Sequence, residues 1–289
     1  MKSWLIGLVA FICLISGSFL VFKSFDNLNR VQAASKPNPV AGPILEALQR
    51  KLPGAGVQPF KIDPSKFQNK EISVYYVPHP DDEILTFGVP ILNDIRSGRK
   101  VFLILLSHGE STGARKKVSH LAKKNLTSQQ IGEARVLEFR DAVKALGVDE
   151  SFYHIYNMSS GKYQHDVIRN IALYFEHNFP NVIHNTMSEE DILSDHYIPA
   201  KIMETLQKQG KIKQFETYAS VYMDRISKKK RDGYKVYLTC NCDIELLEKA
   251  IYAYKVWNPS IGRYAVGHYS VSSQFQALQQ DYYARRSPN

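Results

Sequence analysis

The chain has 289 residues, of which 44% are hydrophobic and 22% charged, with 16 glycines and 13 prolines, a globular composition that excludes a disordered, collagen-like or polytopic membrane chain. Its 37 Lys and Arg against 28 Asp and Glu give a net charge of +9; the first 45 residues hold only four cations and one acid, so most of the basicity lies in the folded part. Of three cysteines, Cys13 lies in an apolar leader, and Cys240 and Cys242 stand too close in sequence for an ordinary disulfide, which excludes a disulfide-stapled fold and a cysteine-rich zinc module.

Residues Trp4 to Phe22 are 19 consecutive uncharged, mainly apolar positions. As a helix they cover roughly 28 Å, enough to cross the hydrocarbon of a bilayer. The small residues suited to signal cleavage, around Ala33 and Ala34, come only after Lys23, Asp26 and Arg30. That spacing favours an uncleaved N-terminal transmembrane anchor over residues 1–26 rather than a removed signal peptide. The amino terminus is then expected inside, with the rest of the chain outside the cytoplasm, or secreted if the leader is cleaved. Residues 27–64 mix Pro, Gly, Ala and charge and read as a tether with one short amphipathic helix at Ile44 to Lys51. Residues 65–289 form the globular domain.

From Glu71 onward strand-length apolar runs alternate with helical periodicity. Ile72 to Val77 is a β-rich run, Ile84 to Arg96 has helical spacing, and Lys100 to Ser107 is nearly all apolar, as in a strand covered on both faces. Thr127 to Leu146 is the clearest amphipathic helix, with Ser128 a candidate N-cap and Gly147 just past its end. A strand at Phe152 to Tyr156, a helix over His165 to Phe179, a strand at Asn181 to Asn185 and a helix at Asp195 to Gln209 continue the alternation. Strands at Thr217 to Met223 and Tyr234 to Leu238 and a helix from Asp243 to Trp257 follow. Alternating units of this kind predict an α/β fold with a mostly parallel sheet, helices on both faces, and ligands bound at the carboxyl ends of the strands.

Directly after the first strand comes Pro78-His79-Pro80-Asp81-Asp82-Glu83. One imidazole and adjacent carboxylates on a proline-stiffened turn suit a divalent cation, and because neighbouring carboxylates diverge, one can ligate metal while the other handles a proton. The acids also suit capping of the following helix. Ser194-Asp195-His196 opens a later helix; His196 is positioned to complete a His-Asp-His set with His79 and Asp82, and Asp195 either caps the helix or orients a ligand from behind.

His79-Pro-Asp-Asp-Glu83, Ser107-His-Gly-Glu110, Gly132-Glu-Ala-Arg135 with Glu138 and Ala145-Leu-Gly147, and Asp195-His196 together resemble the PIG-L/LmbE-like zinc de-N-acetylases over roughly residues 70–285. The resemblance implies a Rossmann-like three-layer fold, Zn2+ bound by His79, Asp82 and His196, Asp81 as general base, and hydrolysis of the acetamide of an N-acetylglucosamine-type sugar. It also suggests that Arg135 shapes the sugar pocket, with an ion pair to Glu138 the plainer reading. His108 and Glu110 either line the pocket or build a turn. The family's His-Pro-Asp-His reads Leu193-Ser194-Asp195-His196 here, and leucine neither donates a hydrogen bond nor a proton. The missing role is expected to fall to Asp81, then His184, then His268, or else catalysis is weakened.

A carbohydrate-binding protein that keeps the scaffold is therefore the alternative to a de-N-acetylase, and a zinc amidase acting on a thiol conjugate the less favoured one. Arg115-Lys-Lys117 and Lys123-Lys124 make the loop after the second strand basic, and tyrosines such as Tyr252, Tyr254, Tyr264 and Tyr269 are candidates for sugar stacking. Lys228-Lys-Lys-Arg231 reads as a solvated hairpin tip. No nucleic-acid module or phosphate-binding glycine loop occurs, so the expected partners are an N-acetylated glycan and, through the N-terminal helix, a membrane, with no nucleic acid.

Overall fold

The computed structural model describes residues 63–227 and 232–288. The expected membrane anchor, all but the last two residues of the tether and the basic hairpin tip at 228–231 lie outside the described residues. Among the described residues no helix is long and apolar enough to cross a membrane.

In chain order the principal elements are β1 (Ile72–Val77), α1 (Asp82–Leu85), α2 (Gly88–Arg96), β2 (Lys100–Leu105), α3 (Arg115–Leu121) and α4 (Ser128–Ala145). There follow β3 (Tyr153–Ile155), α5 (His165–Asn178), β4 (Val182–Met187), α6 (Ser194–Lys208), β5 (Gln214–Ala219) and β6 (Tyr234–Tyr237). The chain closes with α7 (Ile244–Ala253), β7 (Trp257–Asn258), β8 (Arg263–Tyr264), α8 (Val266–Gln280) and β9 (Tyr283–Arg286). The main sheet has seven strands in the order β3-β2-β1-β4-β5-β9-β6. Strands β1 to β5 run parallel, while β9 is antiparallel to both β5 and β6. This is the expected α/β architecture with a mostly parallel sheet. Its strand order reverses between β1 and β4, where open sheets of this type present a crevice.

Side-chain alternation along the central strands builds the two faces. Tyr75 and Val77 of β1, with Val101, Leu103 and Leu105 of β2, enter a core shared with α2, α4, α7 and α8. Ile72, Val74 and Tyr76, with Phe102 and Ile104, enter the opposite core with α5 and α6. Both faces of β1 and β2 are buried, which is why their sequences read as unbroken apolar runs.

Several local expectations shift. The helix read from Ile84 to Arg96 is two pieces, broken at Thr86-Phe87. Thr127, not Ser128, caps α4: its hydroxyl accepts from the Gln130 amide while the Gln130 side chain accepts from the Thr127 amide, a capping box. The strand read at Thr217 to Met223 begins earlier, at Gln214, and gives way to a single π turn at Tyr222–Ile226. Cys240 and Cys242 are bonded to each other: the turn between them brings their Cα atoms to 5.1 Å, inside disulfide reach despite the short spacing. The bridge closes so small a loop that it joins no distant parts of the fold.

Candidate active site

The chain leaves β1 through Pro78, whose carbonyl accepts hydrogen bonds from the Ser107 hydroxyl (2.9 Å) and the Tyr163 hydroxyl (2.7 Å). This fixes the height at which His79 emerges over the crevice. Asp81 then adopts φ 111°, a left-handed conformation costly for a side chain with a Cβ. Its surroundings over-determine it: its amide donates to Glu83 Oε2 (2.9 Å), and its Oδ2 accepts from Arg135 Nη2 (2.8 Å). The turn delivers Asp82 into the first turn of α1, and its Oδ2 accepts from the His79 amide at 3.1 Å.

Across the crevice, the segment after β4 brings His196 in the first turn of α6. His79 Nδ1 and His196 Nε2 lie 3.2 Å apart, and Asp82 Oδ2 lies 3.5 Å from each. Bond lengths of about 2.0–2.1 Å to a tetrahedral zinc imply ligand–ligand separations of about 3.3–3.4 Å, so these three atoms are spaced as three corners of such a site. Among the described residues this is the one cluster of three or more metal-ligating side chains.

A carboxylate stands behind each imidazole. His79 Nε2 is 3.0 Å from Asp195 Oδ2, and that carboxylate is held by the Ser160 hydroxyl and the Gly161 amide, both at 2.6 Å. His196 Nδ1 is 3.2 Å from Asp191 Oδ2, a charge contact off the line of an ideal hydrogen bond. Asp191 accepts from the Ser220 hydroxyl (2.7 Å) and the Leu193 amide (3.0 Å). Such backing carboxylates orient metal-binding imidazoles and raise their basicity. Of the two roles open to Asp195, orientation is the one observed; the N-cap position of α6 is Leu193, with no side-chain cap.

Burial disfavours the imidazolium of His79, but Asp195 and Asp82 outweigh it and push its pKa up to about 9. A metal must therefore displace a proton there. Burial also raises Asp82, but His196 and His79 outweigh it and hold Asp82 below its usual range. Asp81 is pushed up to about 6, because burial exceeds the opposing pull of the Arg135 cation.

Arg135, on α4, is a positioning residue. Besides Asp81 it donates to the Gly109 carbonyl (2.8 Å) and the Pro80 carbonyl, tying the turns after β1 and β2 together. Gly109 has φ 61° and lies so close that a Cβ there would stand 2.2 Å from Arg135 Nη1. Glu138, one turn along, does not pair with Arg135. Its carboxylate accepts from the Val266 and Gly267 amides at the start of α8, the latter at 2.9 Å. Burial pushes Glu138 up to about 7 against those two bonds.

These groups open into a cavity of about 480 Å³. His79, Asp81, Asp82, Arg135 and His196 line its base, while Ser220, Tyr222, Ser270, Val271 and Gln274 contribute a wall from later in the chain. Leu193 lines it as well and is 49% exposed. A larger depression of about 670 Å³, bordered by Glu204, Glu216 and Arg286, contains none of the site residues.

The other residues singled out in the sequence fall elsewhere. His184 is fully buried in β4, with Nδ1 3.0 Å from the Tyr76 hydroxyl and Nε2 3.4 Å from Glu176, in the core on the α5 side and not in the cavity. Alternation along β4 turns it away from the crevice. His268 sits in α8 beside Tyr269, and its neighbours Ser270 and Val271 line the cavity while it does not. His108 and Glu110 pack their Cβ atoms over Gly132 of α4 and are likewise absent from the lining; Gly109 between them, and Ser111 just beyond, are present. Sequence reasoning missed Asp191 and Ser160. Asp191 was one of three successive acids, and nothing in Glu189-Glu190-Asp191 distinguishes the one that turns inward.

The family model described as GlcNAc-PI de-N-acetylase, PIG-L, matches residues 74–206. Residues 74–206 resemble the PIG-L family. Every residue at the base of the cavity lies within the PIG-L match. No curated protein matches the sequence. Among solved structures, the chain is similar to the 4-carboxy-2-hydroxymuconate hydratase of Pseudomonas putida, at 14% identity and TM-score 0.52 over 76% of this chain and 97% of that one. It is equally similar to a deacetylase triple mutant from the teicoplanin biosynthetic pathway, at 14% identity and TM-score 0.52 over 75% and 96% of the two chains. An antimicrobial pseudoaglycone deacetylase aligns at 14% identity and TM-score 0.50 over 75% and 95%. A hydratase and deacetylases share this fold, so the fold leaves the reaction to be argued from the PIG-L site itself.

Proposed function

We propose that the protein is a metal-dependent de-N-acetylase that hydrolyses the acetamide of an N-acetylglucosamine-containing glycan or glycoconjugate. The observation that carries this reading is the convergence of His79 Nδ1, Asp82 Oδ2 and His196 Nε2 beside the Asp81 carboxylate at the base of an open cavity. The donor set of two nitrogens and one oxygen suits Zn2+ and leaves a coordination position open. Bound there, the ion supplies Lewis-acid polarisation of the amide carbonyl and acidifies water.

The rest falls to the chain. Arg135 occupies Asp81 Oδ2 and leaves Oδ1 to accept a proton from the attacking water. With its pKa at about 6, Asp81 is mostly ionised at neutral pH yet basic enough to take that proton. As water oxygen bonds to the acyl carbon and the C–N bond breaks, Asp81 passes the same proton to the departing nitrogen, giving the free amine and acetic acid, which ionises to acetate in solution. Of the three candidates for proton delivery, Asp81 alone lines the cavity; His184 and His268 do not. Residues 1–26 are proposed to anchor this domain outside the cytoplasm, which membrane fractionation and surface labelling of the full chain test.

The test is acetate release by zinc-loaded protein from a panel of N-acetylated sugars and oligosaccharides, with Asp81→Asn as control. Retention of full activity by Asp81→Asn, with zinc bound, rejects the assigned base. Exposed Leu193 in the cavity favours a second reading, a glycan-binding protein with weak turnover. Leu193→His separates the two: a gain in rate at unchanged affinity marks an attenuated enzyme, and glycan binding without turnover at any metal loading marks a binding protein.

A further inference from the structure

Between Glu110 and Glu133 the chain contains no acid and five cations. Arg115, Lys116 and Lys117 open α3, and Lys123 and Lys124 follow it; all five are exposed. Among the described residues no ion pair engages any of them, although Arg115 donates to the Ser128 hydroxyl at 2.8 Å. Lys123 and Lys124, with His120, border an open depression of about 490 Å³.

This cationic ledge adjoins two aromatic rings. Lys117 Nζ lies 4.8 Å from the ring centre of Tyr269, and Trp257, 38% exposed, packs edge-on against Tyr269 with ring centres 6.0 Å apart. Lys255 and Lys117 also add to burial in lowering the His268 pKa, so the positive field extends over α8. The surface is continuous with the cavity: Gly113 lines the cavity two residues before Arg115, Ser270 lines it next to Tyr269, and Thr112 and Ser270 join hydroxyls at 2.8 Å.

Aromatic faces bind the C–H faces of sugars, and exposed unpaired cations attract anions. An anionic membrane is the less favoured occupant. Val118 of α3 is fully buried, and Leu121 is the exposed large apolar side chain of that helix, too little for an interfacial apolar face. We propose that the ledge from Arg115 to Lys124, with Tyr269 and Trp257, is a binding subsite for the acidic sugars of a polymeric glycan whose N-acetylated residue occupies the adjoining cavity. The subsite rests on the de-N-acetylase reading for its choice of ligand, but its binding is measured without turnover.

Trp4→Phe in the full chain leaves Trp257 as the single tryptophan, so its fluorescence reports binding directly. The probes are a hyaluronan hexasaccharide, alternating N-acetylglucosamine with glucuronate, and neutral chitohexaose of the same length. The acidic oligosaccharide is expected to bind about tenfold more tightly at low salt, as several weak surface contacts sum to roughly that factor. The preference should shrink with added salt and vanish in Lys116→Glu/Lys117→Glu. Equal affinity for the two probes, or a preference indifferent to the charge reversal, overturns the proposal. Charge-dependent capture by phosphatidylglycerol vesicles over phosphatidylcholine, without discrimination between the sugars, overturns it in favour of a membrane surface. Acetate release from neither sugar with the acidic preference intact rejects the enzyme reading and upholds the subsite.

Discussion

Asp191 provides a direct test of how the proposed metal site is held, because it touches His196, a proposed ligand, without being one. Its Oδ2 faces His196 Nδ1 at 3.2 Å, and it also takes the Ser220 hydroxyl and the Leu193 amide. In Asp191→Asn the amide oxygen can satisfy one of these donors, but the NH₂ group then faces another donor and the charge behind His196 is lost. The imidazole loses both its electrostatic partner and its fixed orientation. Partners of this kind are worth about 10–100-fold in metal affinity, or roughly 1.4–2.7 kcal/mol. Asp191→Ala should cost more in folding, since the buried Ser220 hydroxyl and the part-buried Leu193 amide both lose their acceptor, at about 1–3 kcal/mol for a buried donor. The assay is zinc competition against a chelator, paired with thermal melting of the metal-free protein. A weakened Asn variant whose metal-free melting is nearly unchanged supports the orienting role. Wild-type zinc affinity in Asp191→Asn would refute it, and so would a loss that Ser220→Ala, which leaves the carboxylate in place, reproduces in full.

Further outcomes follow from the same geometry. His79→Ala, Asp82→Ala and His196→Ala should each abolish stoichiometric zinc binding and acetate release, and chelation of the wild type should do the same reversibly, measured by metal analysis and product assay. Arg135→Met removes one partner of a buried ion pair and should destabilise the fold by about 3–5 kcal/mol in denaturant titration. Gly109→Ala should lower both stability and acetate release, because the new Cβ meets the Arg135 guanidinium. Glu138 titrates near 7 in the folded chain against an ordinary value of 4.5, so its contribution to stability is fully present below about 4.5 and is lost as pH rises through 7. The difference in stability between wild type and Glu138→Gln should therefore change over that window, by on the order of 1–3 kcal/mol, and stay constant outside it.

The parallel part of the sheet was legible because β1 and β2 are buried on both faces and leave unbroken apolar runs in the sequence. The grouping of His79, Asp82 and His196 was legible too, since one turn and one helix start carry all three. The C-terminal region was not: β7, β8 and β9 are two to four residues long, too short to show a period, and β9 enters the sheet between β5 and β6 by pairing that no local pattern encodes. His184 misled because strand alternation, not sequence proximity to the crevice, decides which way a side chain points. Glu138 likewise looked like half of an i,i+3 pair, while its actual partners are amides well over a hundred residues away.

Those amides mark a seam. The residues proposed to hold the metal and move the proton lie between residues 74 and 206, while Ser220, Tyr222, Ser270, Val271 and Gln274 come after that stretch. That wall is built by the later part of the same sheet and core, and the start of α8 is joined to α4 through the Glu138 carboxylate. Retargeting such a protein is then a matter of changing Ser220, Tyr222, Ser270, Val271 and Gln274 while the two amides offered to Glu138 are kept.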